Sequence, residues 1–123
     1  MRISSSEYEI MKIIWTINKT VTSSEVMNVL ADKRNWKQPT VLTFLNRLCE
    51  KALLKTEKNG KLRSYTPTIS ESDYKKQETQ AFLNELHEGS ISNLITCMGS
   101  NDGLTAEDID DLRKWLESTR SHD

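Results

Sequence analysis

The chain is poor in the residues that carry covalent or metal chemistry. Its 123 residues include two cysteines and two histidines. Cys49 and Cys97 stand 48 positions apart, which makes neither a disulfide framework nor a Cys-x-x-Cys metal site. His87 and His122 have no spacing that would hold a metal. There is no glycine-rich phosphate loop and no Ser/His/Asp arrangement. Asp108, Asp110 and Asp111 crowd a helix start, where the helix dipole favours carboxylates, and are not read as a metal site. The expectation is a protein that is not an enzyme and needs no cofactor. No apolar run approaches the ~20 residues that cross a bilayer, so no membrane insertion is expected. The opening Met1-Arg2-Ile3-Ser4 has no apolar leader stretch, so the expected compartment is the cytoplasm. Four glycines and two prolines point to helices with few loops.

The near-neutral net charge of −1 conceals a division. Residues 1–66 hold twelve Lys/Arg against six Asp/Glu, a net of +6, and residues 67–123 hold five against twelve, a net of −7. Such asymmetry suggests a polyanion-binding half joined to a half with another task. Ordinary solvated surface on two helical segments is the plainer alternative.

Helix starts are legible as Ser/Thr-x-x-acid boxes, each typically worth about 1 kcal/mol. They occur at Ser4/Glu7, Thr22/Glu25, Ser70/Asp73 and Thr105/Asp108. Hydrophobic staples accompany them: Ile3 with Tyr8, Val21 with Val26, Ile69 with Tyr74, and Leu104 with Ile109. A further helix of roughly residues 38–51 begins at Pro39, which suits only a first turn. Val41, Leu45 and Leu48 form its buried stripe at i, i+4, i+7. Two short runs then flank Asn59-Gly60, the dipeptide of a type I′ hairpin turn, and Pro67 ends the second run.

Three helices followed by a hairpin in about 65 residues make a winged helix-turn-helix, whose third helix enters the major groove of DNA. The fold class expected is mainly α (α+β). Residues 1–68 would form this domain, with a two-stranded wing, and residues 69–123 a three-helix dimerisation region. Opposite its buried stripe the third helix carries Thr40, Thr43 and Arg47, flanked by Leu42 and Asn46. Threonine can bond a base or phosphate and pack its methyl on thymine, arginine suits guanine or phosphate, and Leu42 offers an apolar contact. A plain solvated helix face remains the alternative. Lys58, Lys61 and Arg63 cluster at the hairpin tip, as a phosphate grip or as charges that keep an edge from aggregating.

The acidic half holds three small helices. Below about 40–60 residues a free-standing core is marginal, so burial against a second copy is expected. Packing back on the first domain is the alternative. The expected interface is Tyr74, Phe82, Leu86, Ile91, Leu94, Ile95, Met98, Ile109, Leu112, Trp115 and Leu116. The first of these helices should run from Glu71 to His87, with Gly89 as its C′ residue. Ser90 is positioned to cap the second, which ends at Gly99. Cys49 and Cys97 read as small buried hydrophobes.

Several spaced motifs, in register over nearly the whole chain, resemble the penicillinase and methicillin-resistance repressors (the BlaI/MecI family, with the copper-responsive CopY repressors as close relatives). They are Ile3-Ser4-Ser5-Ser6-Glu7-Tyr8-Glu9-Ile10-Met11-Lys12-Ile13-Ile14-Trp15, then Trp36, Thr40-Val41-x-Thr43-x-x-x-Arg47-Leu48 and Gly60-Lys61-x-x-x-Tyr65-Thr66-Pro67. They continue through Glu71-Ser72-Asp73-Tyr74, Phe82-Leu83-Asn84 and Leu104-Thr105-x-Glu107-Asp108-Ile109-x-x-Leu112. The resemblance implies a homodimer that binds a palindromic operator and represses β-lactam-resistance genes. It also implies relief by proteolysis, through a membrane sensor-protease or its downstream protease. The family's Asn-Phe cleavage bond corresponds to Cys97-Met98. Lys37-Gln38-Pro39 replace the family's Ser-Pro-Lys, Leu42 a basic or amide residue, and Ala52 a glycine that often ends the third helix. The Cys-x-Cys pairs of the copper branch are absent. Two other functions stay open: a winged-helix repressor answering a different signal, and a winged-helix protein-interaction module.

Overall fold

The computed structural model describes residues 3–31, 33–99 and 103–120. The elements are α1 (Ser5–Ile17), β1 (Val21–Thr22), α2 (Ser23–Leu30), α3 (Gln38–Glu50), β2 (Leu54–Asn59), β3 (Leu62–Pro67), α4 (Glu71–His87), α5 (Ile91–Gly99) and α6 (Ala106–Arg120). They form two compact units, Met1–Glu78 and Thr79–Asp123. His122 lies outside the described residues.

Helix starts follow the expected chemistry. Ser4 Oγ accepts from the Glu7 N–H at 3.1 Å, and Glu7 Oε1 accepts from the Ser4 N–H at 3.3 Å. Thr22 and Glu25 repeat the exchange on α2, and Thr105 and Asp108 on α6. Ser70 and Ser90 accept from the N–H groups of Asp73 and Asn93. Helix α3 differs: Lys37 at its N-cap makes no side-chain cap, and Pro39 fills the first turn. At the other end of α3, the Leu53 N–H bonds the Leu48 carbonyl and the Ala52 N–H bonds that of Cys49. This is a Schellman ending, with Ala52 at φ 64° where glycine is favoured.

Ile10, Met11 and Ile14 of α1, Val26 and Leu30 of α2, and Val41, Leu45 and Leu48 of α3 meet Val21, Leu54 and Tyr65 in one core. The wing has one strand more than the two expected. Val21–Thr22 joins the hairpin as β1, giving an antiparallel sheet in the order β1-β3-β2. Val21 pairs with Tyr65 and Thr22 with Ser64. Two residues are too few to show a strand periodicity, and Val21 also serves as the staple before α2. The turn is as expected, with Gly60 at φ 63°.

Among the described residues of the first unit one charge is buried. Glu7 is 2% exposed, and its carboxylate receives Lys51 Nζ at 2.9 and 3.1 Å. Burial alone would raise its pKa. The hydrogen bonds from Lys51 and Ser4 override that and hold it below the ordinary value. A second long-range tie is aromatic. Tyr8 stacks on Tyr74 with centroids 6.1 Å apart, and Trp15 lies 5.5 Å from Tyr74. Trp15 Nε1 donates to the Ile69 carbonyl at 3.0 Å. Tyr74 is thereby buried inside the first unit and drops out of the expected interface set, because Tyr8 and Trp15 already cover its ring. The same cluster carries the first unit into α4, to Glu78.

In the second unit Leu83 is buried, Leu94, Ile95 and Leu112 are half-buried, and α5 buries no residue fully. His87 Nδ1 bonds Asn93 Oδ1 at 2.6 Å, tying α4 to α5. Phe82 lies edge-on to the His87 ring. Helix α4 ends with Glu88 at φ 52°, so Glu88 rather than Gly89 first takes the left-handed C′ conformation, and Gly89 follows at φ 79°. A Cβ on Gly103 would stand 2.8 Å from the Met98 carbonyl oxygen, so only glycine fits there. Phe82, Leu86, Ile91, Met98, Ile109, Trp115 and Leu116 are exposed. Cys97 is exposed rather than buried, and Cys49 is half-buried against the core. Burial raises the Cys49 pKa, with Arg63 opposing and Glu50 adding to the rise.

Candidate nucleic-acid interface

Helix α3 presents its polar residues because Val41, Leu45 and Leu48 commit the opposite side to the core. Thr40, Thr43, Asn46 and Arg47 are exposed, and Leu42 is half-buried. The Thr43 hydroxyl donates to the Pro39 carbonyl one turn back, at 2.9 Å. Its proton is therefore in use, and toward a ligand Thr43 offers a methyl group and acceptor lone pairs.

Three of the wing's four exposed cations stand close to one another at its tip. Lys58 pairs directly with Arg63 across β2 and β3, and Lys61 is in the turn between the strands. Residues directly opposite in an antiparallel pair project from the same face. Lys58 and Arg63 thus form a like-charge pair.

A cleft of about 510 Å³ separates α3 from the wing. Gln38, Leu42 and Asn46, at i, i+4, i+8 of α3, form one wall, and Lys61, Leu62, Arg63 and Tyr65 the other. Thr22, Ser23 and Ser24, at the start of α2, close one side. The structure thus brings Leu42, Asn46, Lys61 and Arg63 to one cleft. It places Thr40, Thr43, Arg47 and Lys58 outside the cleft lining, on the adjoining exposed faces of α3 and the wing. Gln38, Thr22, Ser23, Ser24, Leu62 and Tyr65 are cleft residues that the sequence does not mark as binding residues. The α2 serines were visible only as a helix start, and their approach to the wing depends on β1 pairing with β3. The Tyr65 hydroxyl is buried without a hydrogen-bond partner. Burial raises its pKa, the Arg63 charge opposes that rise, and Cys49 adds to it.

Some cations of this unit are paired and others are not. Lys12, Lys19, Arg34 and Lys51 are paired with Glu71, Glu25, Glu9 and Glu7. Among the described residues, Arg47, Lys58, Lys61 and Arg63 have no carboxylate within 4 Å. The same holds for Lys37 at the α3 N-cap and Lys55 on β2, so that six of the eight unpaired described cations of this unit lie on α3, its N-cap or the wing, with Lys33 and Lys76 elsewhere. No group of three or more His, Cys, Asp or Glu among the described residues is arranged to hold a metal ion. No described helix is long and apolar enough to cross a membrane.

Comparison with known proteins gives consistent matches. The penicillinase repressor family model matches residues 3–118. A penicillinase repressor of Bacillus licheniformis is 34% identical over 120 residues, 98% of this chain and 93% of that protein. The methicillin resistance regulatory protein MecI of Staphylococcus aureus is 28% identical over 93% of this chain and 92% of its own. Among solved structures, the DNA-binding domain of the repressor BlaI aligns with TM-score 0.53 and 40% identity, covering 59% of this chain and 88% of that one. A monomeric form of B. licheniformis BlaI, in complex with the blaP half-operator, aligns with TM-score 0.51 and 39% identity, covering 60% and 89%.

Proposed function

The chain belongs to the penicillinase repressor family, and on that premise we propose that it is a homodimeric DNA-binding repressor of a palindromic operator controlling β-lactam-resistance genes. The observation that carries this reading is the segregation of charge. Among the described residues of the first unit, the cations without a carboxylate partner are Lys37, Arg47, Lys55, Lys58, Lys61 and Arg63, which lie on α3, its N-cap or the wing, and, away from that face, only Lys33 and Lys76. In this reading α3 lies in the major groove, with Arg47 on guanine or phosphate and Thr40 and Thr43 against bases or phosphates. The wing grips phosphates. Leu42 and Asn46 border the strand that passes between helix and wing.

The second unit supplies the pairing. Its exposed Phe82, Leu86, Ile91, Met98, Ile109, Trp115 and Leu116, with half-buried Leu94, Ile95 and Leu112, form the surface proposed to bury against a second copy. Two linked half-site readers gain about 10²–10⁴-fold by effective concentration without a new DNA contact. Cleavage between Cys97 and Met98, by a membrane sensor-protease or a protease downstream of it, would sever α6 from the rest of that surface. Operator occupancy would fall while every DNA contact stayed intact.

Selection from a random duplex pool by the full-length protein tests the reading. The expected product carries two inverted half-sites about one helical turn, or a multiple of it, apart. Failure to enrich any sequence, with the protein folded, would overturn it.

A further inference from the structure

The first unit hides its aliphatic side chains with one marked exception. Among its described residues the exposed large hydrophobics are Val29, at 37%, and Leu62, at 66%. Val29 lines a groove between α1 and α2 with Ile13 and Ile17 beside it. Leu62 has no such company. It stands at the first position of β3, paired with Asn59 across the tip, two residues beyond the Asn59-Gly60 turn. Lys61 and Arg63 flank it in the chain, and all three line the cleft that faces α3.

A tip used only to hold phosphates would carry polar residues throughout. An isolated leucine on a free hairpin invites edge association and gives no folding energy. We propose that Leu62 is a specificity-determining contact: an apolar side chain that the wing presses into the DNA minor groove, where it favours A·T pairs. This rests on the repressor reading above. With α3 in the major groove, the hairpin reaches across the intervening strand; Arg63, next to Leu62 in β3 and so on the opposite sheet face, meets the phosphates of that strand, and Lys61 in the turn meets those of the far wall. The leucine between them faces the sugars and the groove floor. An A·T floor presents only N3 and O2 acceptors, while G·C adds the guanine amino group. That donor would stand against the leucine and lose its water without gaining a partner. Other minor-groove binders also place apolar side chains in this groove, as wedges between base steps.

The test uses the full chain and a duplex it has selected from a random pool, with the wing's footprint mapped by hydroxyl radical. The selected sequences should be enriched in A·T under the wing. Leu62→Ala should weaken binding roughly tenfold per half-site. The slope of log affinity against log salt should not change, because no charge is removed. Replacing adenine by 2,6-diaminopurine under the wing adds an amino group to the minor groove and leaves the major-groove donors and acceptors as they were. It should weaken the full chain and have little effect on Leu62→Ala. Equal binding by Leu62→Ala, or an equal loss for both proteins on the modified duplex, would overturn the assignment. So would a Leu62→Ala protein with unchanged half-site affinity and a smaller sedimenting species, which would make Leu62 a contact between copies. Enrichment with no Leu62 effect sinks this inference alone, whereas no enrichment at all sinks the repressor reading with it.

Discussion

Lys58 and Arg63 stand directly opposite each other in the wing, on the face that also carries Thr56 and Tyr65. Like charges opposite each other in a sheet are destabilising, and no described carboxylate relieves this pair. Arg63→Gln should therefore leave the urea midpoint unchanged or slightly raised. Affinity should fall by a similar factor for every duplex, with the salt slope shallower by about 0.9 for each phosphate released. Urea titration and fluorescence anisotropy on the same samples would check both halves of this.

The Thr43 hydroxyl is committed to the Pro39 carbonyl, so its useful features are a methyl and a lone pair. Thr43→Ser, which removes the methyl, should weaken operator binding more than Thr43→Val, which keeps it. Arg47→Ala should lose roughly 1–3 kcal/mol. A folded Arg47→Ala protein with full affinity would take α3 out of the groove.

Glu7 and Lys51 make stability depend on pH. The Glu7 pKa is held below its ordinary value of 4.5 in the folded chain. The stabilisation is thus fully present above about 4.5, and it is lost as pH falls through the lower folded value. Glu7→Gln keeps the shape of the cap and should flatten this acid limb. Lys51→Met should destabilise more at neutral pH, by about 1–3 kcal/mol, because it leaves a buried carboxylate without its cation. Urea midpoints measured from pH 3 to pH 7 would separate the two.

Ala52 holds φ 64° in the loop that closes α3. The left-handed region is disfavoured for residues with a Cβ by roughly 1–2 kcal/mol, and glycine adds some unfolded-state entropy in return. Ala52→Gly should raise stability by about 0.5–1 kcal/mol in thermal unfolding, with DNA affinity unchanged.

The helix starts were legible because capping is local: Ser4 and Glu7, or Thr105 and Asp108, sit three residues apart and need no tertiary knowledge. The α3 stripe and the Asn59-Gly60 turn were legible for the same reason. What depended on distant partners was not. The spacing marks Glu7 as a cap, but its ion pair with Lys51 spans 44 positions. Tyr74 looked like interface because its burial comes from Tyr8 and Trp15 on another helix. Strand β1 has no pattern of its own and exists through Tyr65 and Ser64. The cleft residues Gln38, Ser23 and Ser24 gain their place only when α2, α3 and the wing meet. Leu62 carries no signal in the sequence, because one apolar residue in a strand is ordinary and only its exposure sets it apart.

Salt titration of the full chain, on a duplex with two half-sites and on a single half-site, tests most directly whether two of these cationic faces act together on DNA. Arg47, Lys58, Lys61 and Arg63, used twice, predict a slope of about −5 to −7 for log affinity against log salt on the full site, and about half that on the half-site. Equal slopes on both duplexes, or a slope near zero on either, would contradict it.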